Sequence, residues 1–153
     1  MGLDMFLYKV KREEVAYWRK ANAIHGWFER KLGDGEPLRN CGDYHVTKED
    51  LEELQDLCKQ VLAKTKTASG KVQNGSRYNH ETNEWDPIYE DGKTVVNPEV
   101  AEELLPSQAG FFFGSTNYDQ YYLEDLENTI EQIDNILHTT DFDREEIVYS
   151  AWW

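Results

Sequence analysis

The chain has 153 residues, 39% of them apolar and 13% aromatic, and a formal net charge of −14. This length and composition suit one domain with a hydrophobic core and exclude a disordered chain. The charge excludes binding to nucleic acid through its phosphates, which needs basic side chains. It favours binding to basic surfaces, although acidic residues also simply keep a small protein soluble. No run approaches the ~18 apolar residues of a membrane span, and the first residues lack a basic leader. We therefore expect a cytoplasmic protein with reduced cysteines.

The first third of the chain predicts a strand followed by a helix. Residues Leu3–Val10 alternate loosely and are rich in Phe, Tyr and Leu, which is typical of a strand. Residues Arg12–Leu32 predict a helix that ends at Gly33-Asp34-Gly35. Its apolar stripe comprises Tyr17, Ala21, Ile24 and Phe28, with Trp18 and His25 beside it.

The middle of the chain predicts a short strand, a second helix and a long insertion. Residues Cys41–Val46 favour an extended segment, and Thr47–Asp50 resembles a capping box with Asp in place of the usual Glu or Gln. The helix that follows extends to about Lys64, and its apolar stripe comprises Leu51, Leu54, Cys58, Val61 and Leu62. Residues 65–96 are rich in Lys, Ser, Gly, Asn and Asp, and they predict a long loop or insertion with room for a small hairpin.

The last third predicts four further elements. Asn97-Pro98 begins a short helix that Pro106 stops, and Gly110–Gly114 is an apolar run typical of a buried strand. A long helix is predicted from about Asp119 to His138, and Glu146–Trp153 alternates as an aromatic-rich strand. The elements together predict an α+β fold. We expect one domain over residues 1–153, with three to four helices packed on a small, mostly antiparallel sheet.

Four thiol or imidazole side chains lie in one third of the chain, at His25, Cys41, His45 and Cys58. Zinc takes four such ligands in a tetrahedron, but the spacing matches no common zinc motif. An extended segment would hold Cys41 and His45 ~13 Å apart, unless Gly42-Asp43 makes a turn. Because this segment joins the helices that carry His25 and Cys58, one hypothesis is a structural zinc held by His25, Cys41 and Cys58. His45 or a carboxylate would complete it.

The other interpretation of these residues is structural. A cysteine on an apolar stripe is commonly a small core residue, and a histidine beside such a stripe commonly donates to a carbonyl. Cys41 with His25 or His45 as its base would form a nucleophilic pair, but no local motif supports that reaction. The sequence also lacks a phosphate loop, a Ser-His-Asp elbow and an H-E-x-x-H motif. It therefore predicts no enzyme.

Acidic residues are concentrated towards the end of the chain. Residues 119–146 contain ten acids and one base, Arg144. On the long predicted helix, four acids follow the spacing i, i+3, i+7, i+10, which places neighbours ~5–6 Å apart in one row. They are Glu124, Glu127, Glu131 and Asp134. The second predicted helix adds Glu49, Glu52, Glu53 and Asp56. The pattern is compatible with a docking surface for a basic partner and with a plain solvated face.

Five stretches of the sequence together resemble a widespread family of phage and prophage proteins. They are Met1–Tyr8 (MGLDMFLY), Tyr17–Phe28 (YWRKANAIHGWF), Asn40–Tyr44 (NCGDY), Leu104–Ser115 (LLPSQAGFFFGS) and Val148–Trp153 (VYSAWW). Members of that family typically begin MGLDMYL and end near YYSSWW, whereas this chain has Phe6 and Ser150-Ala151 at the differing positions. The resemblance covers most of the chain except residues 65–96, and it labels a family without identifying an activity.

The resemblance implies a phage context. Small acidic phage proteins include anti-CRISPR inhibitors of type II-A systems, some of which mimic DNA electrostatically, and at least one such family binds zinc. We therefore expect a non-enzymatic inhibitor that binds a basic nucleic-acid-binding surface of a host defence protein. The expected partner is the RNA-guided nuclease of a type II-A CRISPR system, whose access to target DNA would be hindered.

An alternative belongs to a different class of protein. It is a small-molecule binder or enzyme, such as a protein that sequesters a nucleotide signal. Its pocket would be lined by Trp18, Trp27, Tyr44, Trp152 and Trp153. The acidic net charge opposes an anionic ligand unless Arg19, Lys20 and Arg30 gather near that pocket.

Overall fold

The computed structural model describes residues 2–110 and 112–153. The described part contains four helices and four strands, and the strands form two separate antiparallel sheets of two strands each. The elements in chain order are α1 (Asn22–Leu32), β1 (Tyr44–Val46), α2 (Lys48–Lys64), β2 (Thr67–Asn79), β3 (Glu84–Val95), α3 (Glu99–Leu104), α4 (Gln120–Thr139) and β4 (Ile147–Tyr149). The predicted α+β class is confirmed. No helix in these ranges is long and apolar enough to cross a membrane.

The core lies between α1, α2, α4 and the small sheet of β1 and β4. Each helix contributes the apolar stripe that its 3.6-residue period predicts. The largest buried side chains are Ile24 and Phe28 from α1, Leu51, Leu54 and Val61 from α2, and Leu126 and Ile133 from α4. The sheet joins this core through Tyr149, whose ring stacks on Phe28 with the ring centres 4.0 Å apart. The described residues therefore form one main core cluster, which extends from Ala16 to Tyr149.

The two long helices begin where the sequence predicts. Asp50 N donates to Thr47 Oγ1 and Thr47 N donates to Asp50 Oδ2, both at 3.0 Å, so the predicted capping box is complete. At the start of α4, Asp119 Oδ1 accepts from the backbone N–H groups of Tyr121 and Tyr122 at 3.0 and 3.2 Å. These caps satisfy backbone donors that the first helical turn leaves without a partner.

Residues 65–96 form a long hairpin rather than a loop. Strands β2 and β3 pair antiparallel from Thr67↔Val95 to Asn79↔Glu84, with one irregularity in register between Gln73 and Ser76. The base of the hairpin contacts the start of α4, where Lys93 N donates to Gln120 Oε1 at 2.8 Å. The distal half is exposed, and Trp85 keeps 68% of its surface. The hairpin is therefore an arm anchored at one end.

The predicted N-terminal elements are wrong. Residues 3–10 form no strand, and the first helix begins at Asn22 rather than Arg12. Lys20 has a φ of 58°, which interrupts a helix because the left-handed region disfavours side chains with a Cβ. Tyr17 lies outside the helix and is exposed; its backbone N–H donates to Gln132 Oε1 at 2.7 Å.

Two other predicted strands are also corrected. The strand predicted at residues 110–114 is absent from the described residues of this range; Phe111 lies outside them. Phe112 and Gly114 have φ values of 65° and 84°, which a strand does not adopt, and Phe112 is exposed. The last strand covers Ile147–Tyr149 only, and Trp152 remains 83% exposed. The strand predicted from Cys41 begins at Tyr44, because Cys41 has a φ of 61°.

The capping box gives a test of how α2 is held. We expect Thr47→Ala to lower the free energy of unfolding by about 1 kcal/mol, because the Asp50 N–H loses its acceptor. Urea denaturation followed by circular dichroism measures the change. Thr82→Ala, at the exposed tip of the hairpin, is the control and should change stability by less than about 0.5 kcal/mol. Equal effects of the two substitutions would contradict the capping role.

Candidate docking face and the predicted metal ligands

The outer face of α4 carries a row of four acids, which we call the acidic row: Glu124, Glu127, Glu131 and Asp134. The helix buries Tyr122, Leu126, Thr129, Ile133 and Ile136 on its opposite side. A helix that buries one stripe must present the opposite positions to solvent. All four acids of the row are accordingly exposed. The structure places them on a rigid element, as the spacing predicts.

The acidic row has little neutralising charge around it. Within the described ranges, no Lys or Arg forms an ion pair with any of its four members. Asp134 alone has a titratable partner, since its Oδ2 lies 3.7 Å from His138 Nδ1. The row is therefore a surface of one sign, which remains free to contact a basic partner.

Burial perturbs two further acids near the start of α4. Burial, together with the nearby charges of Glu124 and Asp119, raises the pKa of Asp125 to about 6. Burial also raises the pKa of Asp119, although its two backbone hydrogen bonds oppose the change. The start of α4 thus holds carboxylates that would be more stable if one of them were neutral.

The acids predicted on the second helix form a different kind of face. Glu49, Glu52, Glu53 and Asp56 are all exposed on α2. Lys31 Nζ lies 2.6 Å from Glu53 Oε2 and Lys48 Nζ lies 3.7 Å from Glu52 Oε1. Asp56 Oδ2 accepts from Gln60 Nε2 at 2.6 Å. This face mixes charges of both signs, so it contributes less to a negative surface than the acidic row does.

The two helices are neighbours in the same layer. Helices α2 and α4 pack against each other, and Gln55 Nε2 donates to Ile130 O across their contact at 3.1 Å. Because each helix buries its apolar stripe in the shared core, the acids on its other face are exposed to solvent. The unneutralised charge lies on α4.

The two cysteines lie in different surroundings. Cys58 is fully buried on the apolar stripe of α2, and burial raises the pKa of its thiol to about 12. Cys41 is exposed, and its Sγ contacts Asn40 Oδ1 at 3.6 Å. A cysteine binds zinc as its thiolate, whereas the apolar surroundings of Cys58 favour the neutral thiol of a core residue.

The two histidines also differ in their exposure and in their contacts. His45 is exposed on β1. His25 is half-buried on α1, and its Nδ1 lies 2.6 Å from the Tyr149 hydroxyl. His25 Nε2 is buried without a hydrogen-bond partner and lies 3.7 Å from Glu29 Oε2. Burial lowers the pKa of His25, and the charge of Glu29 opposes that change.

The four candidate zinc ligands lie in different surroundings. In the described part of the chain, no group of three or more His, Cys, Asp or Glu side chains is arranged to hold a metal ion. His25 is engaged by Tyr149, Cys58 is enclosed by the core, and Cys41 lies on an exposed loop. The geometry gives the zinc hypothesis no support, and that hypothesis stays a prediction.

Parts of three of the stretches quoted above, Tyr17–Phe28, Leu104–Ser115 and Val148–Trp153, meet around His25. The rings of Phe113 and Trp153 lie 5.1 and 5.3 Å from the His25 ring, centre to centre. Glu29 Oε1 accepts from Gln108 Nε2 at 3.0 Å. The arrangement joins α1, the 107–115 loop and the C-terminal residues in one aromatic and polar cluster.

Asparagine side chains hold the irregular segments of this cluster in place. Asn22 Nδ2 donates to Phe113 O and Ser115 O at 3.1 and 2.8 Å, and Asn22 Oδ1 accepts from Gln108 N at 2.9 Å. Asn40 binds both the N–H and the C=O of Trp153, at 3.0 and 2.9 Å. Asn22 is buried and Asn40 is exposed. Amide side chains that bind loop backbone in this way hold the loops in place, so we assign both residues a structural role. In the sequence, the signal for this role is that each of these asparagines lies within one of the motifs quoted above.

The aromatic residues of the alternative hypothesis do not form one pocket. Trp27 is buried and Trp152 is exposed, while Trp18 donates from its Nε1 to Thr129 Oγ1 at 2.9 Å. Two clefts, of about 620 and 360 Å³, lie beside the hairpin. None of the five predicted aromatic residues lines either cleft. Neither cleft therefore supports the aromatic pocket of the alternative hypothesis.

The raised pKa of Asp125 predicts how stability changes with pH. The folded state holds the Asp125 proton up to about pH 6, whereas the unfolded chain releases it near pH 3.9. Between these values the native state binds more protons, so this residue makes stability fall as pH rises. We expect Asp125→Asn to raise the free energy of unfolding at pH 7.5 by on the order of 1–2 kcal/mol, with the gain disappearing towards pH 4.

Urea denaturation at pH 4, 5.5 and 7.5 measures this effect. Glu127→Gln removes an exposed charge from the same helix and is the matched control. A pH-independent change in Asp125→Asn, or an equal change in the control, would contradict the burial of this carboxyl.

Substitution of the cysteines separates the core interpretation from the zinc hypothesis. We expect Cys58→Ser to lower the free energy of unfolding by about 1–3 kcal/mol, because it places a hydroxyl in an apolar site. Cys41→Ser should change it by less than about 0.5 kcal/mol. Neither change should alter the zinc content of protein purified without chelator, measured by elemental analysis. One zinc per chain that both substitutions remove would instead establish the zinc site.

Comparisons with known proteins found no relative. No protein-family model matches the chain, and neither the curated proteins nor the solved structures contain a match.

Proposed function

We propose that this protein is a phage-encoded inhibitor that binds a basic nucleic-acid-binding surface of a host defence protein in the host cytoplasm. The observation that carries the proposal is the acidic row of α4, whose four exposed carboxylates have no Lys or Arg partner within the described residues. A row of one sign costs stability through self-repulsion. That cost is recovered only when a cationic surface covers the row.

The spacing of the row suits a surface that normally holds nucleic acid. Ten residues separate Glu124 from Asp134, which is ~15 Å along a helix axis. The four charges therefore recur about every 5 Å, compared with about 3.4 Å per phosphate along one strand of DNA. Because the side chains stand on a helix capped by Asp119 and packed on the core, the backbone loses little freedom on binding. Such preorganisation favours affinity.

The proposed partner is the RNA-guided nuclease of a type II-A CRISPR system. Nucleases of this class hold their nucleic acids in a positively charged channel, which is complementary to the acidic row. The choice of this partner rests on the resemblance of the sequence to phage proteins. The proposed mechanism is occlusion: the row occupies the channel and target DNA is hindered. It requires no catalytic residue.

Neutralising the acidic row tests the mechanism. The variant Glu124→Gln, Glu127→Gln, Glu131→Gln, Asp134→Asn should bind the guide-loaded nuclease at least about tenfold more weakly, because complementary charges set association and specificity. A DNA-cleavage assay and a binding measurement at several salt concentrations report the loss. The dependence of affinity on salt should also become shallower.

A second variant controls for net charge. Glu13→Gln, Glu14→Gln, Glu81→Gln, Glu84→Gln removes the same number of charges from exposed positions outside α4. We expect it to inhibit like the unmodified protein. Equal loss in both variants would assign the effect to net charge, and no binding of the unmodified protein to the nuclease would overturn the choice of partner.

A further inference from the structure

The hairpin of β2 and β3 carries three aromatic side chains on one face, which we call the aromatic face: Tyr78, Trp85 and Tyr89. Tyr78 lies directly opposite Trp85 in the register, and their ring centres are 5.4 Å apart. The register irregularity adds its extra residue to β2, between Gln73 and Ser76, so β3 keeps its alternation. Because Tyr89 follows Trp85 by four residues on β3, both rings lie on the same side of that strand.

The aromatic face is directed away from the body of the molecule. On the opposite face, Val72 is buried, and Glu90, which lies across from it, accepts from the hydroxyl of Tyr121 on α4. Trp85 and Tyr89 keep 68% and 58% of their surface exposed. Single exposed apolar residues are ordinary, whereas rings aligned on one face of a projecting hairpin are typical of an interaction site.

The ring of Trp85 is ordered before any partner binds. The Tyr78 ring packs edge-on against it, and also lies 4.9 Å from the His80 ring in the turn, centre to centre. The Tyr78 hydroxyl donates to Asn83 Oδ1 at 3.2 Å. A side chain that is already held in place loses little freedom on binding, which favours affinity.

The charge beside the rings favours a cationic partner. Residues 85–91 contain three acids and no base; the acids are Asp86, Glu90 and Asp91. Of the cations on β2, Lys71 pairs with Asp91, and Arg77 lies on the other face, opposite Asp86. Two copies of this acidic segment would repel each other, whereas a cation is attracted both by the carboxylates and by the faces of the rings.

Arginine suits this face better than lysine. Its planar guanidinium stacks on aromatic rings, and it is more weakly hydrated than an ammonium group. Tryptophan and tyrosine rings attract cations through their π-electrons, and the cation concerned is more often arginine. A protein surface that presents arginine side chains is therefore the class of partner to which the aromatic face is complementary.

We propose that the aromatic face is a second docking surface, which binds arginine side chains of a basic protein partner. The hairpin is anchored to Gln120, and Glu124 of the acidic row follows ~6 Å further along α4. The 13 residues of β2 extend over ~40 Å, so one large partner can contact both surfaces. The choice of a basic protein rests on the proposed function, whereas the selectivity for arginine rests on the rings.

Two labelled peptides of equal length, oligo-arginine and oligo-lysine, test this selectivity with the full-length protein. Both carry the same charge, so the acidic row attracts both of them, and the aromatic face adds affinity for the arginine peptide. Fluorescence anisotropy at physiological ionic strength measures the two dissociation constants. We expect the unmodified protein to bind the arginine peptide at least about threefold more tightly. Equal affinity for the two peptides would overturn the proposal.

Variants of β3 assign the preference to the rings. Trp85→Thr with Tyr89→Thr removes both rings but retains side chains that favour a strand, and it should lower the arginine preference by about threefold. Trp85→Leu with Tyr89→Leu keeps the face apolar without π-electrons and should lose the preference equally. Ile88→Thr changes the opposite face of the same strand and is the matched control, which should keep it. An unchanged preference in either double variant would contradict arginine stacking.

The acidic-row variant described above separates this inference from the proposed function. It should weaken the binding of both peptides and keep the arginine preference; a preference that disappears with the row would overturn the inference. The peptide measurement does not involve the nuclease, so a failure to bind the nuclease overturns only the choice of partner. The rings act without the charges of Glu81 and Glu84, so the net-charge control remains valid.

Sedimentation equilibrium tests whether a second copy of the chain covers the aromatic face instead. We expect the unmodified protein and the variant Trp85→Thr with Tyr89→Thr to have the same oligomeric state. A dimer that this variant converts to a monomer would assign the face to a second copy and overturn the proposal.

Discussion

The packing of α2 against α4 is the constraint on which the rest of the structure depends. Both helices bury apolar stripes in the same core, and Gln55 binds the backbone of α4 across their contact. Once these stripes face inward, the helical period leaves the acids no position except the outer side. The same packing explains why Cys58 is enclosed: it occupies a stripe position on α2, between Leu54 and Val61. One interaction therefore creates the acidic surface and opposes a metal site.

The acidic surface has a physical cost that the fold bears at one end of α4. Asp119 caps the helix and is buried. Asp125 is partly buried, and the negative charges of Glu124 and Asp119 lie near it. The raised pKa of Asp125 reports how unfavourable another negative charge is there. On α2, by contrast, Lys31 and Lys48 relieve the repulsion. A protein selected only for solubility would have no reason to neutralise one helix and leave its neighbour bare.

Local signals predicted those parts of the fold that depend on local chemistry. The capping box at Thr47, the stripes of α2 and α4, and the exposure of the acidic row follow from helix periodicity and side-chain capping, and all are found. The errors arise where a strand needs a distant partner. Residues 3–10 have strand-like alternation without a partner in their own chain, and residues 65–96 lack strong strand propensity but pair with each other in a long hairpin. The zinc hypothesis stays a prediction, because proximity in sequence says little about which side chains meet across the core.

The two projecting elements have opposite relations to the body of the molecule. The hairpin satisfies its own backbone hydrogen bonds and contacts α4 only at its base, so it can extend from the core without a partner. The N-terminal segment satisfies none of its backbone groups and buries almost none of its apolar surface. A contiguous apolar segment left open in this way is typical of an interaction site. The Arg12–Asp43 contact joins the chain just after that segment to the residue before β1, so both projecting elements are anchored to the body and they differ in how far they satisfy their own backbone groups.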